Sequence, residues 1–339
     1  MTLPLEGISV VEAGDGIGAA YAGKLLRDLG CDVWKWEPTV AANPAPRQVR
    51  AYHEVLSGFL DRGKRFFPQR ELAERARSAS IVITASSLSE LNRIGLDPGT
   101  LASGGGIVLS LTSFGLRESP DGPMIPDLLA SALGGFVLLT GLPDHPPTRN
   151  QASLPQFQAA LGGVIGALGA LLAKEAGGGG EVVDVSLYES AAYLMEREDV
   201  VFTHQHTLWT RSARHKVVHP FAIFPCADGY VGLAVAGAAA FSAMADLIEQ
   251  PQLGEDRQVL LSTIDYADLI DSYLLPWLAA RDKRTICALF QERRIPATPV
   301  LDFLEIIADA QLRDREFFQT ADLGGAERVV PGPPYRISD

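Results

Sequence analysis

Three small residues near the start of the chain have a spacing that could do chemistry. Gly14, Gly16 and Ala19 follow a short apolar run, Ile8 to Glu12, and Glu37 closes the next such run about 20 residues on. In a strand-turn-helix unit, small residues at this spacing let a pyrophosphate approach the N-H groups at the helix start, and the acid would hold a ribose. The same glycines also make a tight strand-to-helix turn with no ligand at all, so the spacing leaves a dinucleotide site and a plain turn both open. Four of the six histidines, His204, His206, His215 and His219, fall close together and raise a metal site, but no carboxylate or thiol completes a ligand set beside them. They read as structural or surface groups. The three cysteines, Cys31, Cys226 and Cys287, have no CxxC or Cys/His ligand spacing, so neither a disulfide framework nor a zinc centre is expected and a reducing compartment fits. No G-x-S-x-G is present, and no Ser-His-Asp set can be assigned from sequence order.

The elements that would position these residues show in the apolar periodicity. Ile8 to Glu12, Asp32 to Trp36, Ser80 to Thr84 and Gly106 to Thr112 read as strands, with helical spacing over Ala19 to Leu29 and Ser87 to Ile94, which predicts a parallel, Rossmann-like sheet. Leu128 to Leu139 and Ala159 to Lys174 read as long apolar helices. The run from Ala159 to Ala173 falls short of the roughly 20 residues that cross a bilayer, and it reads as a buried helix with Gly162 and Gly166 admitting a neighbouring backbone. Phe221 to Val235 reads as a hairpin turning at Ala227, Asp228 and Gly229. The expected organisation is a large domain over residues 1-210, a small α+β domain over 211-312, and a tail, 313-339, returning to the large one.

Composition narrows the classes of function. At 339 residues, 47% hydrophobic and 21% charged, the chain is an ordinary globular protein, not a disordered, collagenous or coiled-coil one. A net charge of -12 argues against nucleic acid or an anionic membrane as partner. No secretory leader is visible at the start, so a cytoplasmic protein is expected.

Read further, the chain resembles a known family. LEGISVVEAGDGIGAAYAGKLLRDLGCDVWKWEP (Leu5 to Pro38) is similar to the opening LxGxxVLDLxxxxAGPxxxxxLADLGADVIKVEP of class III CoA-transferases, the family of formyl-CoA transferase, carnitine CoA-transferase and α-methylacyl-CoA racemase. The likeness continues in DRGKR (Asp61 to Arg65) against NRGKRS and LTSFG (Leu111 to Gly115) against SITGFG. It goes on through TGLPDHPP (Thr140 to Pro147), ALLAKEAGGGGEVVDVSLYESAAYL (Ala170 to Leu194), FPCADGYV (Phe224 to Val231) and ATPVLDFLEIIADAQLRDREFF (Ala297 to Phe318). Ordered matches over nearly the whole chain are more specific than one glycine fingerprint.

The resemblance implies an interlocked dimer, CoA or an acyl-CoA as ligand, no metal, and a mechanism in which an aspartate carboxylate attacks the acyl-CoA to give a mixed anhydride. This chain departs from the pattern there. The family segment GDYxAGxxAAxGILAALL, laid without gaps on PQFQAALGGVIGALGALL (Pro155 to Leu172), puts the aspartate at Gln156, and a carboxamide cannot form the anhydride. Asp127 matches an aspartate of the family and reads as a capping carboxylate, and the histidine of the racemase branch becomes Pro126. The ENFRPG loop along the nucleotide aligns with Ala85 to Ser89, so its arginine becomes Ser87. Lys64, Arg65 and Arg93 are the cations left to meet CoA phosphates. Asp184 and Glu189 align with similar residues in active members and read as structural.

Three functions follow as expectations. The chain is the supporting subunit of a heteromeric CoA-transferase-type enzyme beside an Asp-bearing paralogue. Or it is a homodimeric enzyme doing hydration, elimination or isomerisation with Gln156 as a donor to the thioester oxygen. Or it is a non-enzymatic acyl-CoA-binding or scaffold protein.

Overall fold

In the computed structural model the described residues are 3-36, 47-116, 125-150, 152-212, 214, 215, 217-323 and 325-338. They form two compact units, the first holding residues 1-140, 147-209 and 319-339 and the second 141-146 and 210-318.

The first unit is built on β1 (Ser9–Glu12), α1 (Ile17–Asp28), β2 (Asp32–Trp36), α2 (Arg47–Leu60), β3 (Arg65–Phe67), α3 (Leu72–Ser78), β4 (Ile81–Thr84), α4 (Leu88–Arg93), α5 (Pro98–Ser103) and β5 (Ile107–Thr112). It continues with α6 (Asp127–Leu133), α7 (Leu154–Glu175), β6 (Val182–Ser186), α8 (Leu187–Tyr193) and α9 (Glu196–Gln205). The six strands pair in parallel in the order β3-β2-β1-β4-β5-β6. Every residue of β4 and β5 is buried, as a parallel sheet covered on both faces requires. The strand period of two divides the core: Val10, Ile81, Ile83, Leu109 and Leu111 face α1 and α7, while Val11, Val82 and Val108 face Leu72 of α3, Leu91 of α4 and Leu101 of α5. The expected α/β, Rossmann-like sheet is present.

Two helices differ from the sequence reading. The apolar stretch over Leu128 to Leu139 is not one helix: α6 stops at Leu133, and a single 3-10 turn, Phe136–Leu139, follows. Gly134 lies against Ala191 and Ala192 of α8 with no room for a Cβ, and Gly135 takes φ 78°, so the two glycines break the helix. Helix α7 starts five residues earlier than the periodicity suggests, because Pro155 suits a first turn, and its 22 residues make it long and apolar enough to cross a membrane by length alone. Its inner face is nonetheless packed: Ala159, Ala160, Gly163, Val164, Ala167 and Leu171 are buried against the sheet. Neither predicted glycine admits a neighbouring backbone: Gly166 packs on the Val183 side chain, and Gly162 faces open space. The second close approach belongs to Gly163, where a Cβ would lie 2.7 Å from Leu109 Cδ1.

The second unit carries β7 (Phe221–Cys226) and β8 (Gly229–Ala234), then α10 (Ala238–Leu247), α11 (Pro251–Glu255), α12 (Arg257–Leu261), α13 (Ala267–Ala279), α14 (Lys283–Glu292) and β9 (Ala297–Pro299). The strands form an antiparallel β7-β8-β9 sheet, and Cys226 opposite Gly229 leaves a two-residue hairpin loop. Helices α15 (Phe303–Ile307) and α16 (Ala310–Asp314) follow; a two-stranded ribbon, β10 (Phe318–Asp322) and β11 (Glu327–Pro331), ends the chain.

Candidate active site

The glycine turn between β1 and α1 meets the first turn of α7. Gly14 packs on the backbone at Thr84 and Ala85 so closely that no side chain fits, and Gly16, at φ 100°, starts α1. Alanines on both helices, Ala19 and Ala22 of α1 and Ala159 and Ala160 of α7, let them approach, and Tyr21 meets Phe157 edge to face at 4.7 Å. This packing brings half-buried Gln156, the third residue of α7, to the start of α1. Its Oε1 accepts the Gly18 N-H at 3.0 Å. A backbone donor on that side fixes the amide, because the NH2 group cannot face another donor. The Nε2 donor points the other way and makes no hydrogen bond among the described residues.

Asp127, at the start of α6, stands beside Gln156. Its Oδ1 accepts the Gln156 backbone N-H at 3.4 Å, a long contact that caps α7 from outside where Ser153 provides no side-chain cap. Partial burial raises the Asp127 pKa above its ordinary value, against the lowering effect of the Gln156 N-H and of the Arg149 charge.

The predicted phosphate-binding cations are scattered. Lys64 is fully enclosed, donating to Glu12 Oε2 at 2.6 Å, Ala20 O at 2.8 Å and Asp61 Oδ1 at 2.9 Å. Lys35 completes this cluster, 3.0 Å from Glu12 Oε1 and 2.8 Å from Asp61 Oδ1. Burial lowers the Lys35 pKa, and the two carboxylates together raise it by more, leaving it above the ordinary lysine value. All three donors of Lys64 are spent inside the protein. Arg65 and Arg93 are open, with side chains 63% and 70% exposed: Arg65 lies over the Trp34 ring, 3.5 Å from Asp32, and Arg93 makes a fork on Glu90.

Glu12, Lys35 and Asp61 were not among the sequence candidates. The available signal was a charge at the end of one apolar strand and another inside the next. Ser87, where the family loop carries arginine, caps α4 through the Glu90 N-H, and Pro126 caps α6 by position alone. Asp184 accepts the Leu116 N-H at 2.9 Å and so ties down the turn after β5. Glu37 lies outside the described residues.

The histidines do not converge. His219 is buried, with Nε2 2.7 Å from Asp271 Oδ1, and burial lowers its pKa despite that carboxylate. His215 Nδ1 accepts from the Val217 and Val218 N-H groups, and His204 Nδ1 lies 2.9 Å from Val200 O on its own helix. No three potential ligands gather among the described residues. Burial pushes the Cys31 thiol up to about 12 and Cys287 to about 11, which disfavours thiolate chemistry at either.

The parallel sheet with its second α+β unit is a known architecture. A solved CaiB/BaiF family protein from Brucella suis superposes with a TM-score of 0.84 over 100% of this chain and 94% of its own, at 22% identity. A profile of CoA-transferase family III matches residues 5–339, and the chain belongs to that family. The succinyl-CoA:mesaconate CoA-transferase of Haloarcula marismortui is 28% identical over 99% of this chain and 90% of its own length. The succinyl-CoA–L-malate CoA-transferase alpha subunit of Chloroflexus aurantiacus is 25% identical over 99% and 83%.

Proposed function

We propose that the chain binds a CoA thioester as the supporting subunit of a heteromeric CoA-transferase-type enzyme, with the anhydride-forming aspartate supplied by a homologous partner. One observation carries this reading: the neutral Gln156 carboxamide, engaged by the Gly18 N-H, stands at the position assigned to the nucleophile. An amide nitrogen or oxygen is too weak a nucleophile to open a thioester and leave a reactive anhydride. The Chloroflexus relative is named an alpha subunit, which supports the assembly reading, and a succinyl group is the acyl moiety both relatives' names share. Of the three candidate cations, Arg65 and Arg93 are the exposed ones that could meet the CoA phosphates, and Lys64 supports the turn just before Arg65.

Native mass spectrometry on the tagged chain isolated from its own host tests the assembly. The expected result is a dimer with a second, homologous chain bearing aspartate at the position of Gln156. A pure homodimer that forms a hydroxylamine-sensitive acyl adduct on its own overturns the proposal. In the isolated chain, Gln156→Asp should introduce such an adduct from succinyl-CoA where the unaltered chain forms none.

A further inference from the structure

Two of the histidines hold one short stretch of the second unit, each by a bond that depends on its protonation. His215 Nδ1 accepts the Val217 and Val218 N-H groups at 3.2 Å each. It can do so only while the ring is neutral, since both nitrogens of a protonated imidazole are donors. His219 is wholly buried: Nε2 lies 2.7 Å from Asp271 Oδ1, the backbone N-H donates to Thr263 Oγ1 at 3.0 Å, and the ring meets Phe224 edge on. Its Nδ1 is buried with no hydrogen-bond partner among the described residues. A neutral His219 gives its one N-H to Asp271, whereas a proton on Nδ1 would add a second N-H where nothing accepts it.

The charged groups acting on His219 are Asp268 and Asp271 from α13 and Arg214 from the stretch itself. Arg214 donates through Nη2 to Asp271 Oδ2 at 2.6 Å and through Nη1 to Asp268 Oδ1 at 2.8 Å. One carboxylate, Asp271, therefore pins the stretch at two points. Between them in sequence, Val217 and Val218 wall a cavity of about 390 Å3 with Phe241 of α10, Leu260 of α12, Thr263 and Ile264. We infer that Arg214, His215 and Val217 to His219 form a pH-released cover on this cavity, closed while both imidazoles are neutral and released when they take up protons. The device lies wholly within the second unit and is independent of the acyl-CoA reading.

The sign follows from the closed geometry. Burial holds His219 below the ordinary histidine value of 6.5; Asp271 and Asp268 oppose that lowering, and Arg214 adds to it. The closed form binds its proton less readily than the open one, so closure is fully favoured above about pH 6.5 and weakens as pH falls below it.

Amide hydrogen exchange on the full chain, with any partner isolated with it, tests the cover. Mass spectrometry follows the peptide spanning residues 214-221 at about pH 7.5 and about pH 5, with rates corrected for the intrinsic pH dependence of exchange. Protection there is expected to fall at least about tenfold in acid, while that of β4 and β5 stays constant. His215→Asn keeps an acceptor oxygen and His219→Gln keeps an N-H donor, and neither side chain titrates, so the double variant should keep its protection at both pH values within about twofold. Unchanged protection in the natural chain, or the same acid fall in the double variant, overturns the inference. Exchange at the imidazole C2 hydrogen of the natural chain gives the His219 midpoint without any substitution: a value below 6.5 is expected, and one at or above it overturns the cover as well.

Discussion

Two polar regions flank α1 and use charge in opposite ways. Beside the middle of the helix, Glu12, Lys35, Asp61 and Lys64 form a closed set of two carboxylates and two ammonium groups, with the Glu12 and Lys64 side chains wholly excluded from solvent. At its first turn, Gln156 and Asp127 each have one group engaged and one open. The closed set ties the ends of β1 and β2 to the turn before β3, and nothing in it is offered outward. The open pair costs some stability, through a carboxylate kept partly from water, and has donor and acceptor capacity to spend on a ligand. Saturation of partners, more than the number of charges, separates scaffold from site.

The largest effect that could break this contrast comes from Lys64→Met. It takes one of the two ammonium groups from the buried Glu12 carboxylate, leaving it to Lys35 alone, and the expected loss is about 3 kcal/mol in urea unfolding. A loss under about 1 kcal/mol would mean the cluster does not hold the scaffold. Next in size is the coupling. Adding Glu12→Gln to Lys64→Met should cost less than the two single changes summed by at least about 1 kcal/mol, as the half-satisfied carboxylate goes with its partner and Lys35 keeps Asp61, and simple additivity would count against a closed set.

Asp127→Asn is expected to move stability little and upward. The folded-state pKa of Asp127 lies above its ordinary value, so the desolvation cost is present at neutral pH and is relieved as pH falls through that raised value. The variant's Tm should therefore equal or exceed that of the natural chain at pH 7, with the gap closing in acid; a clear drop at pH 7 would make Asp127 a purely structural cap. The smallest effect concerns Lys35. Its raised pKa stabilises the fold below the ordinary lysine value of 10.5, and that contribution is lost as pH climbs through the higher folded value. Stability curves of the natural chain and Lys35→Met should converge only in strong alkali, and a difference independent of pH would place the effect in the lysine's methylene stem.

Most of the parallel sheet was legible because β1, β2, β4 and β5 are short apolar runs bounded by turns, and the structure moves their ends by a residue or so. Gln156 was found by register against a family pattern, not by any property of glutamine. Its bond to Gly18 spans 138 residues and could not be read from local spacing. The Glu12–Lys64 pair had the same obstacle at a separation of 52 residues, so Lys64 in DRGKR read as a cation left to meet CoA phosphates. The break after α6 depends on Gly134 meeting α8 some 57 residues later, a contact that apolar periodicity does not contain. Neighbouring glycines in α7 were confused for a related reason: a helix turns about 100° per residue, so Gly162 and Gly163 face different ways, and only a structure says which one meets the sheet.

Helix α7 has a consequence for synthesis. A segment of 22 residues with this apolarity has the length of a membrane anchor as it leaves the ribosome. Its resting place is made beforehand: β1 to β5, α1 and α6 all precede it in the chain, and only β6 and α8 among its main neighbours come later. Vectorial folding from the N-terminus thus prepares a surface for the most insertion-prone stretch before that stretch emerges, and a circular permutant starting at α7 would meet the cell's targeting machinery with nothing yet to dock on.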